Sequence, residues 1–341
     1  MPTIERDINS SIGRFLKKNN IPKSYLEFDE NLEDFEERVE KWLSVIDYED
    51  KEVFTFLLEN FTYITRKNLI SILKVYYDQF KSKTSDFEES LFLPVTSFGG
   101  VFNGAVNIVE CFQMAVRKEQ YISKKNIAVN AQDFHKEFNL DSVKNIVFID
   151  DIIGSGTTFK DFLYRTARTT PSLLKDKKLY VLSLYNLEKG VKLINDDLNE
   201  KAWEIDLINS TIMPNIFKDK NIYQQDVEKK IKEHKKIIKK YEEKVNPSDM
   251  DRVFRFGYKR SAILLAFYYN TPNNTLSTFW KEINGEWHPF FPRVPDEDKY
   301  SLKVSNSLKE IREHRDIKQS RLEFIQEQME LEERRRDYGG N

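Results

Sequence analysis

Hydrophobic positions change their period along the chain, and the changes mark where its parts begin. Up to about residue 88 the apolar residues keep helical spacing. Leu32, Phe35, Val39, Trp42, Leu43 and Ile46 fall at intervals of 3, 4, 3, 1 and 3 with charges between them, one stripe along a helix. Val53, Phe54, Phe56, Leu57, Leu58 and Phe61 predict a second helix over about 50–60. Leu69, Ile70, Leu73, Tyr76, Tyr77 and Phe80 predict a third over about 66–82. From Leu91 the pattern turns to short apolar runs. Leu91–Val95 reads as a strand, followed by the small-residue loop Ser97-Phe98-Gly99-Gly100 and a helix from Gly104 to about Lys118. Ile146-Val147-Phe148-Ile149 is a β-branched and aromatic run that suits a strand buried on both faces. Leu179–Tyr185 and Glu204–Ile208 read as further strands, with a shorter one at Asn126–Val129. Strands alternating with helices predict the α/β class, a doubly wound, mostly parallel sheet.

Beyond the strands the chain becomes helical and charged again. Residues 226–245 hold eight lysines against five acids, and Val227, Ile231, Ile238, Tyr241 and Val245 form a narrow apolar stripe. This predicts a long amphipathic helix with a basic outer face, ended by Asn246-Pro247. Residues 261–269 read as an apolar strand closed by the turn Asn270-Thr271-Pro272-Asn273-Asn274-Thr275, with an aromatic, proline-rich segment after it. Residues 298–341 read as a charged helical tail with sparse apolar positions. The expected layout is a helical cap or partner region at 1–88, an α/β core at 89–297 carrying a basic helical insertion near 222–246, and the tail.

Composition narrows the class of protein more than its activity. With 54 basic and 56 acidic residues the net charge is −2, so bulk charge selects neither nucleic acid nor a membrane surface. A protein or nucleic-acid partner is expected through the basic helix 226–245 and the N-terminal helices. Oligomeric state is left open. A single cysteine, Cys111, excludes internal disulfides and fits a reducing compartment. No run approaches the roughly 18 apolar residues of a membrane span. The first residues lack the basic-then-apolar layout of a signal peptide, so a cytoplasmic protein is expected.

The chemistry concentrates in Asp150-Asp151-Ile152-Ile153-Gly154-Ser155-Gly156-Thr157-Thr158, directly after the buried strand. The glycines let the backbone approach an anion, and the following helix points its positive end at it. Ser155, Thr157 and Thr158 add hydroxyl donors, and the two carboxylates can accept hydrogen bonds from vicinal hydroxyls. Together these suit a ribose carrying a 5′-phosphate. A P-loop would need a lysine in the turn, and the dinucleotide fingerprint would place its acid about 20 residues downstream. A strand-turn-helix with an exposed acidic doublet would leave the rest of this pattern without a reason. The Ser97–Gly100 loop offers backbone donors, though a Gly-Gly turn also simply joins strand to helix. At Asn270, Asn273 and Asn274, side chains at a strand end can read hydroxyls or a base edge.

Residues 146–158 resemble the phosphoribosyl-diphosphate (PRPP) motif of the type I phosphoribosyltransferases, departing at Gly154, where that family more often has Thr, Ser or Ala. The resemblance implies that Asp150 and Asp151 hold the ribose, that Gly154–Thr158 hold the 5′-phosphate, and that Ser97–Gly100 wrap the pyrophosphate. It implies Mg²⁺ as cofactor, bound mainly through substrate oxygens, with Asp150 and Asp151 as the protein groups at hand and no dedicated metal site. Asn270, Asn273 and Asn274 would stand on the acceptor side. The helical N-terminus and the 270–275 turn are similar to a bacterial clade of phosphoribosyltransferase-like proteins associated with anti-phage systems, retrons among them. The implied function is transfer of a phosphoribosyl or ribosyl group from PRPP, or from a related nucleotide, in such a defence setting. The alternative is a non-catalytic PRPP or nucleotide sensor on the same fold. No motif identifies the acceptor.

Overall fold

The computed structural model describes residues 2–28, 32–96, 104–119, 126–127, 140–198, 203–208, 211–223, 226–283 and 285–293. The 298–341 tail and the Ser97–Gly100 loop lie outside them. Helix α1 (Pro2–Lys18) comes first, and the three helices read from the apolar stripes follow: α2 (Phe35–Ser44), α3 (Lys51–Glu59) and, after a short strand β1 (Thr62–Ile64), α4 (Arg66–Lys83). All six residues of the first stripe, Leu32 to Ile46, are buried. Thr65 begins α4 by accepting the Asn68 N–H at 3.2 Å, which satisfies one of the helix's unpaired amides.

Every described strand pairing of the main sheet is parallel. Strands β2 (Ser90–Pro94), β3 (Asn145–Ile153), β4 (Lys178–Asn186) and β5 (Ile205–Ile208) lie in that order, and β6 (Thr211–Ile212) pairs with the end of β4. Of the short strand expected at 126–129, Ile127 bridges Phe92 of β2 in parallel, on the edge away from β3; Ala128 and Val129 lie outside the described residues. The sheet therefore grows one way from β2 and the other way from β3. The helices agree. Helix α5 (Gly104–Val116) packs with Val147 and Ile149 on one face, and α6 (Thr157–Thr169) packs with Ile146 and Phe148 on the other. Right-handed crossovers running in opposite directions require that arrangement, and the gap between β2 and β3 is the topological switch point. The doubly wound α/β fold is thus as the sequence predicts.

A second core lies beside the sheet. Residues of α1–α3 share it with Ile238, Tyr241 and Val245 of α7 (Val227–Val245) and with Leu276, Phe279, Trp287, Phe290 and Phe291. The apolar run at 261–269 differs from expectation. Only Leu265–Phe267 forms a strand, β7, which pairs in parallel with β1 in a two-stranded sheet of its own. Positive φ at Phe256, Gly257, Lys259, Arg260 and Ala262 prevents extended backbone before it. No helix among the described residues is long and apolar enough to cross a membrane.

Candidate active site

Strand β3 runs on through the acidic pair to Ile153, further than its apolar run alone predicts. Its side-chain alternation slips at the acids. Phe148 faces the α6 side and Ile149 the α5 side, yet Ile152 packs on the α5 side and Ile153 on the α6 side. The carboxylates fold onto their own backbone as this happens. Asp150 Oδ1 accepts the Asp151 N–H at 2.9 Å, and Asp151 Oδ1 accepts the Ile152 N–H at 2.8 Å.

The chain then turns through Gly154-Ser155-Gly156 into α6. Gly156 takes φ 76°, a left-handed conformation that favours glycine, and a Cβ there would lie 2.9 Å from Leu193 Cδ2. The first helical bond, Lys160 N–H to Gly156 O at 2.9 Å, leaves the amides of Thr157, Thr158 and Phe159 without an intrahelical acceptor. Ser155 Oγ and Thr157 Oγ1 stand 3.0 Å apart at the same point. A cavity of about 80 Å³ opens here, lined by Asp150, Ile152–Phe159 without Thr157, Tyr258 and Asn274. Side chains, helix dipole and free amides converge on it.

Three contributors come from far along the chain. The Tyr269 hydroxyl donates to Asp151 Oδ2 at 2.8 Å. The Asn274 carboxamide fills the space beside Gly154, where an added Cβ would meet Asn274 Oδ1 at 2.7 Å and Nδ2 at 2.8 Å. Lys259 Nζ donates to Thr157 Oγ1 at 3.3 Å. Behind the loop, Gly190 sits so close that a Cβ would lie 2.6 Å from Ile153 O and 2.9 Å from Gly154 O. None of Tyr269, Lys259 or Gly190 is singled out by sequence pattern. A glycine inside the short helix Glu188–Lys192 that follows β4 is the local signal for Gly190.

Of the residues the sequence nominates, Asp150, Gly154, Ser155, Gly156, Thr158 and Asn274 line the cavity, with Asp151 and Thr157 beside it. Asn270 and Asn273 are not among the cavity's lining residues: Asn270 Oδ1 accepts the Thr271 N–H at 2.9 Å within the turn, and the Asn273 carbonyl accepts the Tyr258 N–H at 2.7 Å from the neighbouring segment. The Ser97–Gly100 loop, which follows β2 in sequence, lies outside the described residues.

The two acids differ electrostatically. Burial, and then the charge of Asp151, push the Asp150 carboxyl well above the usual range. Burial also raises Asp151, but the Tyr269 hydroxyl, the Ile152 N–H and the Arg293 charge oppose it. Asp151 is therefore the better stabilised anion and Asp150 the readier proton holder. Among the described residues neither carboxylate has an ion-pair partner.

The family model that matches the sequence is PRTase-CE, over residues 39–293. The chain belongs to the PRTase-CE family. Membership makes it a phosphoribosyltransferase-type protein, and the matched span contains both β3 and the distant segment with Tyr258, Lys259, Tyr269 and Asn274. No curated protein matches this PRTase-CE chain in sequence. Among solved structures, Helicobacter pylori xanthine-guanine-hypoxanthine phosphoribosyltransferase aligns at 12% identity over 44% of this chain and 87% of that chain, with a TM-score of 0.26. At that score no residue of the two is equated.

Proposed function

We propose that this PRTase-CE protein binds PRPP, or a nucleotide with the same ribose 5-phosphate half, and transfers the phosphoribosyl group to an acceptor. The observation that carries the reading is the convergence of Asp150 and the Gly154–Thr158 turn on one cavity at the switch point of a parallel sheet. The free amides of the first turn of α6, with Ser155 and Thr157, hold the 5′-phosphate. Asp150 and Asp151 accept hydrogen bonds from the ribose 2′ and 3′ hydroxyls. In the reaction the C1–O bond to pyrophosphate breaks as a nitrogen of the acceptor bonds to C1 and gives up its proton. The ring carries positive charge between those events, and a fixed carboxylate beside it stabilises that charge.

Mg²⁺ would neutralise the departing pyrophosphate. Among the described residues no group of three or more His, Cys, Asp or Glu is disposed to hold a metal. One acid pair at the cavity fits an ion whose coordination comes mostly from substrate oxygens and water. The anti-phage setting rests on the sequence resemblance, and a location in the cytoplasm on the single cysteine, Cys111. A role of α7 in meeting a protein or nucleic-acid partner rests on its lysine-rich face.

The test is calorimetry with PRPP and Mg²⁺ on the wild type and on Asp150→Asn with Asp151→Asn. Binding is expected in the first and absent in the second, with circular dichroism unchanged; equal binding sinks the assignment. Mass spectrometry of pyrophosphate release, with bases, nucleotides and cell extract as acceptors, separates a transferase from a sensor. A sensor binds PRPP and releases none.

A further inference from the structure

The cavity at the start of α6 has two walls, and the sequence motif describes only one. The other comes from residues 256–274. Five of the seven residues from Phe256 to Ala262 have positive φ, with Lys259 at φ 52° and ψ 32°. The segment is held in that shape from outside. Buried Glu242 accepts the Phe256 N–H at 2.8 Å, and Gly257 lies where a Cβ would sit 2.1 Å from Asn274 O. The result aims Tyr258 and Asn274 into the cavity and sets the Lys259 ammonium on the Thr157 hydroxyl, 5.2 Å from the Tyr258 ring centre.

Asn274 is the second polar group that this wall presents to the cavity. The residue is 6% exposed, its Nδ2 reaches Ser261 Oγ at 3.3 Å, and its Oδ1 accepts no hydrogen bond among the described residues. A carboxamide can present either end by rotation about its last torsion. It also stands where the residue at position 154 would place a side chain, so it can supply the polar group that Gly154 lacks.

We propose that Lys259 and Asn274 are ligands of the anionic phosphate held at the start of α6, the ammonium completing a site that the turn alone leaves without a cation. The proposal rests on the ribose-phosphate reading of the cavity. It adds a charge-assisted bond from a segment about a hundred residues away, so that phosphate binding also fixes the position of that segment.

Calorimetry with ribose 5-phosphate on the full chain tests it, comparing wild type, Lys259→Gln, Lys259→Arg and Asn274→Ala. Lys259→Gln is expected to weaken binding about tenfold, the value of one charge-assisted bond at an exposed group. Lys259→Arg should stay within about threefold, since it keeps the cation, and Asn274→Ala should lose about fivefold. Lys259 is exposed, so the ligand-free melting temperature should not move for either of its variants. If wild type binds and Lys259→Gln binds equally well, the Lys259 assignment fails and the ribose-phosphate reading stands. If wild type binds neither ribose 5-phosphate nor PRPP, both fail together.

Discussion

Gly154 opens the turn before α6 and Gly190 packs behind it, but what surrounds them differs, and so do the expected effects of a methyl group. At Gly154 the neighbour is the tip of the Asn274 side chain, which can swing away. Gly154→Ala should cost about 1 kcal/mol in urea unfolding, and Asn274→Gly should recover most of it. Simple addition of the two single effects would refute their shared space. At Gly190 the neighbours are the backbone oxygens of Ile153 and Gly154, which cannot move without moving the turn. Gly190→Ala should cost about 2–3 kcal/mol and impair ligand binding as well. Asp150 allows a prediction from charge. Its folded pKa lies above the ordinary value near 3.8, so the folded protein binds a proton that the unfolded chain releases. Stability from this group is complete below about pH 3.8 and is lost as pH rises through the folded value. Asp150→Asn should therefore raise the melting temperature of the ligand-free protein at pH 7, with the gain shrinking towards pH 4. A gain that grew with acidity would overturn the account.

At the scale of elements, α7 shows what local pattern reveals and what it hides. Its lysines and narrow stripe are legible in sequence because helix periodicity is local. Glu242 is not, because one acid among thirteen charged residues in 226–245 carries no sign of burial. In the structure it is fully buried and accepts from Ser277 Oγ at 2.5 Å, Thr278 N–H at 2.9 Å and Phe256 N–H at 2.8 Å. Glu242→Ala removes three partners at once and should cost at least about 3 kcal/mol, against less than about 0.5 for exposed Lys236→Ala, both read from urea midpoints. Similar small costs for both would mean that the acid anchors nothing. The candidate site divides the same way. The acids, the glycine turn and α6 are contiguous, so their order carries the chemistry. Tyr269 and Lys259 meet that stretch across 118 and 102 residues, and no spacing rule spans such distances. The parallel sheet is legible from buried apolar runs. The two-stranded sheet is not, because its strands have three residues each and pair across some two hundred positions.

In the molecule as a whole, the N-terminal helices support the distant wall of the site. Trp42 of α2 packs against Phe279 at 4.8 Å, Phe54 at 5.5 Å and Phe290 at 5.9 Å between ring centres. Its indole N–H donates to Thr278 O at 3.0 Å, and Trp287 donates to the same carbonyl at 3.0 Å. Thr278 N–H is in turn held by Glu242, which also holds the start of the strained segment at Phe256. The path from Trp42 to Lys259 is thus a chain of packed rings and buried hydrogen bonds, with no direct contact between Trp42 and the cavity. Trp42→Ala should cost about 3–5 kcal/mol, the range for emptying a buried aromatic site. Because the lost core supports one wall and not the other, the variant should also weaken ribose 5-phosphate binding at temperatures where it remains folded. Trp42→Phe refills most of the space and leaves Trp287 on the Thr278 carbonyl. It should cost less than half as much and bind nearly as wild type. Calorimetry beside urea unfolding on both variants decides the point: a Trp42→Ala protein that is destabilised yet binds undiminished would show that the N-terminal helices stabilise the fold without shaping the site.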